Sequence, residues 1–323
     1  MRRLLAARVA QGALVVALVA VITFVLVHLA PGDPIDRSLE TSLLSPEARA
    51  TLRRAYGLDR PLAEQFARWI ANFARGDFGW SFSQHRPVRS ALASAIPNTL
   101  FLMGAAIVAS FALGVAVAVL QAARPRRALD RVAGGTLLVL YSIPTVWLGL
   151  MLIVVFAQTL GVLPVSGIVD PVLHPYMSLW GRTLDRLRHL ALPVATLALG
   201  TAASVARYQR SALLDVLAED FIRTARAKGV RARAVLLGHA LRNALAPTIT
   251  LLGLALPALF GGAVLVETIF AWPGMGLLAT SAVSARDYPL VIACAMIGAT
   301  MVVVGNLVAD LLTAAANPRL RSS

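Results

Sequence analysis

Reactive and metal-holding side chains are nearly missing from this sequence of 323 residues. The one cysteine, Cys294, lies in an apolar run, so neither an intrachain disulfide nor a cysteine metal cage can form. The one lysine, Lys228, follows Ala227 and precedes Gly229. A phosphate loop needs Gly-x-x-x-x-Gly-Lys-Ser/Thr, so this chain has no such nucleotide site. His28, His85, His174, His189 and His239 are scattered, and neither a His/Cys zinc spacing nor Gly-x-Ser-x-Gly occurs. No catalytic residue, bound cofactor or metal is expected, and the chain does not read as an enzyme. Charge is also scarce: 14% of residues are charged against 58% hydrophobic, a composition that excludes a soluble globular protein.

What the chain has in quantity is apolar length. A helix needs about 20 apolar residues to cross ~30 Å of hydrocarbon with its backbone satisfied. Six stretches qualify: 9–30, 99–122, 132–158, 190–206, 245–269 and 288–316. The fourth is short and rich in Ala, Gly, Ser and Thr, which predicts close packing inside a bundle. The first follows Arg2, Arg3 and Arg8 as a secretory signal would, yet it is longer than a signal core and reads as an uncleaved span.

Thirty Lys+Arg face 16 Asp+Glu, a net +14, an excess that suggests nucleic acid until its placement is considered. It falls in four regions: the N-terminal arginines; Arg124, Arg126, Arg127 and Arg131 against Asp130; residues 207–246; and Arg319 with Arg321. With six spans all four lie on one side, which the positive-inside rule makes cytoplasmic. The expected partner of these charges is the lipid membrane, with no nucleic acid.

The predicted fold is an all-α polytopic membrane protein of six transmembrane helices, N-in and C-in. Residues 1–30 form the N-terminal tail and first span, and 31–97 a long extracytoplasmic loop. Ser45-Pro46-Glu47 and Arg60-Pro61-Leu62-Ala63-Glu64 make that loop partly helical. Residues 98–206 hold spans two to four, 207–246 a cytoplasmic loop, 247–316 spans five and six, and 317–323 a cytoplasmic tail.

Within the spans, Glu267 near an outer end and Asp310 near an inner end are costly places for a carboxylate and hence pathway or gating candidates. The ordinary reading is a hydrated or structurally paired group. Pro144, flanked by Tyr141 and Trp147, and Pro257 with Gly261-Gly262 interrupt helical hydrogen bonding. They are expected bending points along a pathway.

The segment Glu219-Asp220-Phe221-Ile222-Arg223-Thr224-Ala225-Arg226-Ala227-Lys228-Gly229 opens acidic, turns basic and ends on glycine. That order suits a short helix and its dipole, stopped by a left-handed residue. A second helix over 231–245, carrying His239, Arg242 and Asn243, then leads to Pro247. Two short helices joined at a glycine form a lever able to pass force from a soluble partner to the spans. A basic hairpin resting on anionic headgroups is the plainer alternative.

This loop resembles the cytoplasmic loop of permease subunits from ATP-binding-cassette importers, particularly the dipeptide, oligopeptide and nickel class. The resemblance runs almost the full length, in the same order. It takes in Ala30-Pro31-Gly32-Asp33-Pro34, Tyr56-Gly57-Leu58-Asp59-Arg60-Pro61, Gly76-Asp77-Phe78-Gly79-Trp80-Ser81, Ile143-Pro144-Thr145-Val146-Trp147 and Glu267-Thr268-Ile269-Phe270-Ala271-Trp272-Pro273-Gly274-Met275-Gly276. The general permease loop begins Glu-Ala-Ala and later has Leu-Pro; here Arg223-Thr224-Ala225 and Leu241-Arg242 stand instead, the variant common in the peptide and nickel class.

The resemblance implies a multi-pass protein of the bacterial inner membrane that forms, with a second homologous permease, the route for peptides or a related solute. An extracytoplasmic solute-binding protein would deliver the solute, with Trp80 and Trp272 as docking candidates or interfacial anchors. Two ATP-binding-cassette ATPase subunits or domains would hold ATP and Mg and drive alternating access through Asp220, Arg223, Thr224, Ala225, Lys228, Gly229, His239, Arg242 and Asn243. The rival reading is an ATP-independent channel or secondary carrier.

Overall fold

The computed structural model describes residues 2–29, 47, 59–261 and 264–316. Long apolar runs become helices, because only bonds within the segment satisfy the backbone away from water. In chain order these are α1 (Arg2–Leu29), α2 (Leu62–Ala74), α3 (Val88–Ala123), α4 (Ala128–Ser142) and α5 (Thr145–Leu152), which widens into a π-turn over Ile153–Thr159. They are followed by α6 (Leu179–Leu217), α7 (Asp220–Ala227), α8 (Ala232–Ala244), α9 (Ala246–Gly261), α10 (Val264–Ile269), α11 (Met275–Ser284) and α12 (Tyr288–Ala316). A small antiparallel hairpin, β1 (Trp80–Ser81) with β2 (Arg86–Pro87), precedes α3.

Among the described residues four helices, α1, α3, α6 and α12, are long and apolar enough to cross a membrane, or up to six spans if each of two bent pairs counts as one. The predicted span 132–158 takes the form of a bent pair of helices. The chain turns by 106° between α4 and α5, where Pro144 supplies no N–H and pushes Ile143 into extended backbone (ψ 127). The stretch 190–206 is likewise only the middle of α6, a 39-residue helix about 58 Å long at 1.5 Å per residue. Residues 245–269 form two helices, α9 and α10, with 262–263 outside the described residues. The motif 30–34, residues 45–46 and 56–58, Gly262 and the tail 317–323 also lie outside them, and of Pro257 only its place in α9 is described. Within 31–97 a helix, α2, does start directly after Pro61.

The most extensive helix packing is α3 on α6, followed by α9 on α12 and α1 on α12. The first is close because Gly114 has no side chain: a Cβ there would stand 2.7 Å from Val205 and 3.0 Å from the Ala202 carbonyl. Small residues thus bring these two backbones together, and Ala118, Ala202 and Ala206 are buried with them. By contrast, Leu14, Leu18, Ile22 and Leu26 of α1 are exposed, an apolar surface suited to lipid.

Buried side chains gather at both ends of the bundle. At one end Val88 and Leu92 of α3 pack with Met275 and Leu278 of α11 and Leu290 of α12. At the arginine-rich end Ala118, Leu213, Ile222, Val235 and Ala244 join the ends of α3 and α6 to α7 and α8.

Candidate functional site

At the arginine-rich end α7 projects from the bundle on one anchor. Ile222 is fully buried in the core formed by α3, α6 and α8, while Asp220, Phe221, Arg223, Thr224, Arg226 and Lys228 are exposed. Thr224 donates its hydroxyl to the Asp220 carbonyl at 3.0 Å, and Arg223 pairs with Asp220 at 3.2 Å in full solvent, a contact of small energetic weight. The helix stops in a double turn: Gly229 N–H donates to the Arg226 carbonyl at 3.0 Å and Val230 N–H to the Ala225 carbonyl at 3.2 Å. That pattern requires a left-handed residue, and Gly229 has φ +77.

The chain then reverses into α8, whose centre, Val235–Ala240, winds as a π-helix. Val235 and Ala240 face the core, while His239, Arg242 and Asn243 are exposed and Asn243 Nδ2 donates to the His239 carbonyl at 2.7 Å. All nine residues expected in the lever thus sit on this one elbow, and only Ala225 is partly covered. The sequence reading passed over Phe221, an exposed aromatic in the first turn of α7 (45% exposed). Its signal was present: an aromatic directly beside the one buried anchor of a strongly amphipathic helix.

A second group lies at the same end. Arg210 of α6 holds Asp130 of α4 through Nε and a terminal nitrogen, each at 2.8 Å. Asp130 also accepts from Arg126 N–H at 2.8 Å, which fixes the α3–α4 turn with Arg126 at φ +62. Gln121 donates to the same carboxylate at 3.2 Å, and its own Oε1 has no donor among the described residues. Beside this pair a cavity of about 370 Å³ opens between α3, α4 and α6. Tyr141, Pro144 and Trp147, the expected pathway residues around the break, are exposed, as are Leu138, Leu150 and Met151.

At the opposite end Glu267 is fully buried rather than open to a channel. Its carboxylate accepts from Thr99 Oγ1 at 2.7 Å, Gly276 N–H at 2.6 Å and Leu277 N–H at 3.2 Å, capping the start of α11. A Cβ on Gly274 would stand 2.5 Å from that carboxylate. Trp272 is enclosed beside Leu102 and Leu190, with Nε1 donating to the Asn98 carbonyl at 3.0 Å. In this arrangement it offers no surface to an external protein, whereas Trp80 is half exposed. The other end of α11 is tied down by buried Asp287, which accepts from Ser81 Oγ at 2.6 Å, Ser83 Oγ at 2.7 Å and Ser83 N–H at 2.9 Å. Asp310 pairs with Arg8 of α1 at 3.0 Å.

The histidines, scattered in sequence, are partly gathered here. Asp185 of α6 contacts His174 Nδ1 at 2.6 Å and His189 Nδ1 at 3.1 Å, and it accepts from Asp170 N–H at 3.0 Å. The loop before α6 is thereby latched to it. Asp170 accepts from the N–H groups of Val172 and Leu173 at 2.8 Å, and these bonds, Leu173 first, hold its carboxyl below the usual aspartate range.

The long apolar helices fit a multi-pass membrane protein, and the comparisons with known proteins define the class as a permease component of the bacterial inner membrane. Residues 110–322 match the family of binding-protein-dependent transport system inner membrane components, and residues 1–103 the N-terminal region of such membrane components. The chain belongs to that family. It is 39% identical over 303 residues to the oligopeptide transport system permease protein AppB of Bacillus subtilis, covering 94% of each chain. It is also 39% identical over 315 residues to the di/tripeptide transport system permease protein DppB of Pseudomonas aeruginosa, and 37% over 318 residues to the dipeptide transport system permease protein DppB of Escherichia coli K12, with 94% of each chain covered in both cases.

Proposed function

We propose that this chain is one of two permease subunits of an importer for short peptides, coupled at its elbow to separate ATPase subunits that hold ATP and Mg. The observation that carries the reading is the construction of α7. One buried side chain, Ile222, roots it among the ends of α3 and α6, while its polar face and Phe221 are free to enter a partner's cleft. A push on α7 therefore reaches two spans directly. The reading also takes α4 with α5 as one bent span and residues 245–269 as another, giving six with α1, α3, α6 and α12, with the arginine-rich end cytoplasmic and both termini there.

The second permease covers the exposed face around Tyr141, Pro144 and Trp147. The hairpin with Trp80, braced on α11 through Asp287, receives the solute-binding protein on the other side. Each side then senses a different ligand state, which is what linkage between the two requires. Peptides are assigned because the relatives are named for dipeptides, tripeptides and oligopeptides.

The test is Gly229→Pro and Arg223→Glu in the complex purified through this chain. Peptide uptake should fall by about tenfold while ATP hydrolysis and membrane insertion persist. Unchanged uptake in both variants, or uphill transport by this chain alone in liposomes, overturns the reading; the latter outcome would instead make it a secondary carrier.

A further inference from the structure

The cavity beside the Asp130–Arg210 pair has an unbalanced charge. Arg131, Arg207 and Arg210 line it with one carboxylate, Asp130. Arg210 is committed to that carboxylate in a two-bond fork, and Asp130 is filled further by Arg126 N–H and Gln121 Nε2. Arg131 and Arg207 make no ion pair among the described residues.

The Arg207 guanidinium lies 5.8 Å from the centre of the Tyr141 ring and 5.7 Å from that of Tyr208. Aromatic faces hold a guanidinium by cation–π attraction without using its N–H donors. An arginine that only sets membrane topology needs neither a cavity nor two aromatic supports. Leu137 and Leu138 make part of the wall apolar, and the cleft is open to solvent on the side of Arg131 and Arg207. Tyr141 also stands just ahead of the 106° break at Ile143–Pro144, so an anion here sits at the bend of the broken span.

We propose that this cleft is an oxyanion subsite, with Arg207 as its principal donor and Arg131 as a second cation, which takes the carboxylate of a peptide on its way to the cytoplasm. The assignment of the anion to a peptide rests on the proposed function; the same chemistry would suit the phosphate of an anionic lipid headgroup. A planar guanidinium binds either oxyanion through paired N–H donors.

The experiment uses the complete complex, purified through this chain, in vesicles of phosphatidylcholine with or without phosphatidylglycerol. Uptake of a tripeptide is compared with uptake of its C-terminal amide for wild type, Arg207→Gln, Arg131→Gln and Arg207→Lys. In parallel, labelling of Arg207 by phenylglyoxal is mapped with each peptide present. The subsite predicts that Arg207→Gln lowers free-acid uptake about tenfold more than amide uptake, that Arg131→Gln does so more weakly, and that Arg207→Lys recovers part of the difference. It also predicts that the free acid, and not the amide, shields Arg207 from the reagent.

Equal loss for both peptides, or no loss with no shielding, overturns the subsite. Shielding and defects that follow phosphatidylglycerol instead of the free acid assign the cleft to a lipid phosphate and overturn the carboxylate. If the wild-type complex moves neither peptide, the importer reading fails, while the shielding result still decides the subsite.

Discussion

Thr99 Oγ1 donates to the Glu267 carboxylate at 2.7 Å and accepts from Met275 N–H at 2.7 Å, so one hydroxyl joins α3 to both the carboxylate and the helix start that it caps. Glu267 thereby acts as a fastener at this end of the bundle. Replacing it with Ala leaves the Thr99 hydroxyl proton and the Gly276 and Leu277 N–H groups without their acceptor. The expected loss is about 3 kcal/mol, read as a lowered thermal midpoint in detergent. Gly274→Ala forces a Cβ into the same carboxylate, and in combination with Glu267→Ala its cost should largely vanish.

The Asp130–Arg210 pair offers a second stability test. Asp130→Asn leaves part of the half-buried Arg210 fork without its charged partner and is expected to cost about 2 kcal/mol, whereas Asp130→Asn with Arg210→Met should cost less than the single change. Denaturation of both variants beside wild type checks this. Equal or larger loss in the double variant would mean that the turn at Arg126, rather than the charge pair, sets the stability.

Neighbouring residues on α7 should separate stability from coupling. Phe221 is exposed, so Phe221→Ser is expected to leave stability within about 0.5 kcal/mol while weakening binding-protein stimulation of ATP hydrolysis severalfold. Ile222 is the buried anchor, and Ile222→Ala should cost about 2–5 kcal/mol. Thermal unfolding and stimulated hydrolysis, measured on the same preparations, distinguish the two effects.

Asp170 gives the loop before α6 a pH dependence of known sign. The Leu173 and Val172 N–H groups lower its carboxyl below the ordinary range, so the ionised form is favoured by folding. Its contribution is present in full above about pH 4, the usual aspartate value, and is lost as pH falls through the lowered value. Hydrogen exchange at Val172 and Leu173, corrected for intrinsic rates, should accelerate in that acid range. Asp170→Ala, which removes the acceptor, should be fast throughout, whereas Asp170→Asn keeps an acceptor and should lose the pH dependence.

The helices were legible where the sequence records a local requirement. Apolar length marks α1, α3 and α12, and the glycine after a dipole-ordered run marks the turn at Gly229. Pro144 marked a bending point, but the 106° angle depends on how α5 packs against α6 and α10, which no local pattern encodes. Contacts between distant residues were not legible for the same reason. Arg210 and Asp130 read separately as charges that orient the chain, and Thr99 as a neutral residue of a span. His174 and His189 have no metal-like spacing, yet both meet Asp185 once the loop folds back on α6.

At 39 residues α6 is far longer than the roughly 20 residues that hydrocarbon requires. Its first turns carry the Asp185 latch and its last turns meet Ile222, so both fittings belong to one continuous rod. Tilting that rod moves its two tips in opposite directions. Under the proposed function, a docking event on one aqueous side would reset the angle presented on the other by leverage, with the bilayer serving as fulcrum.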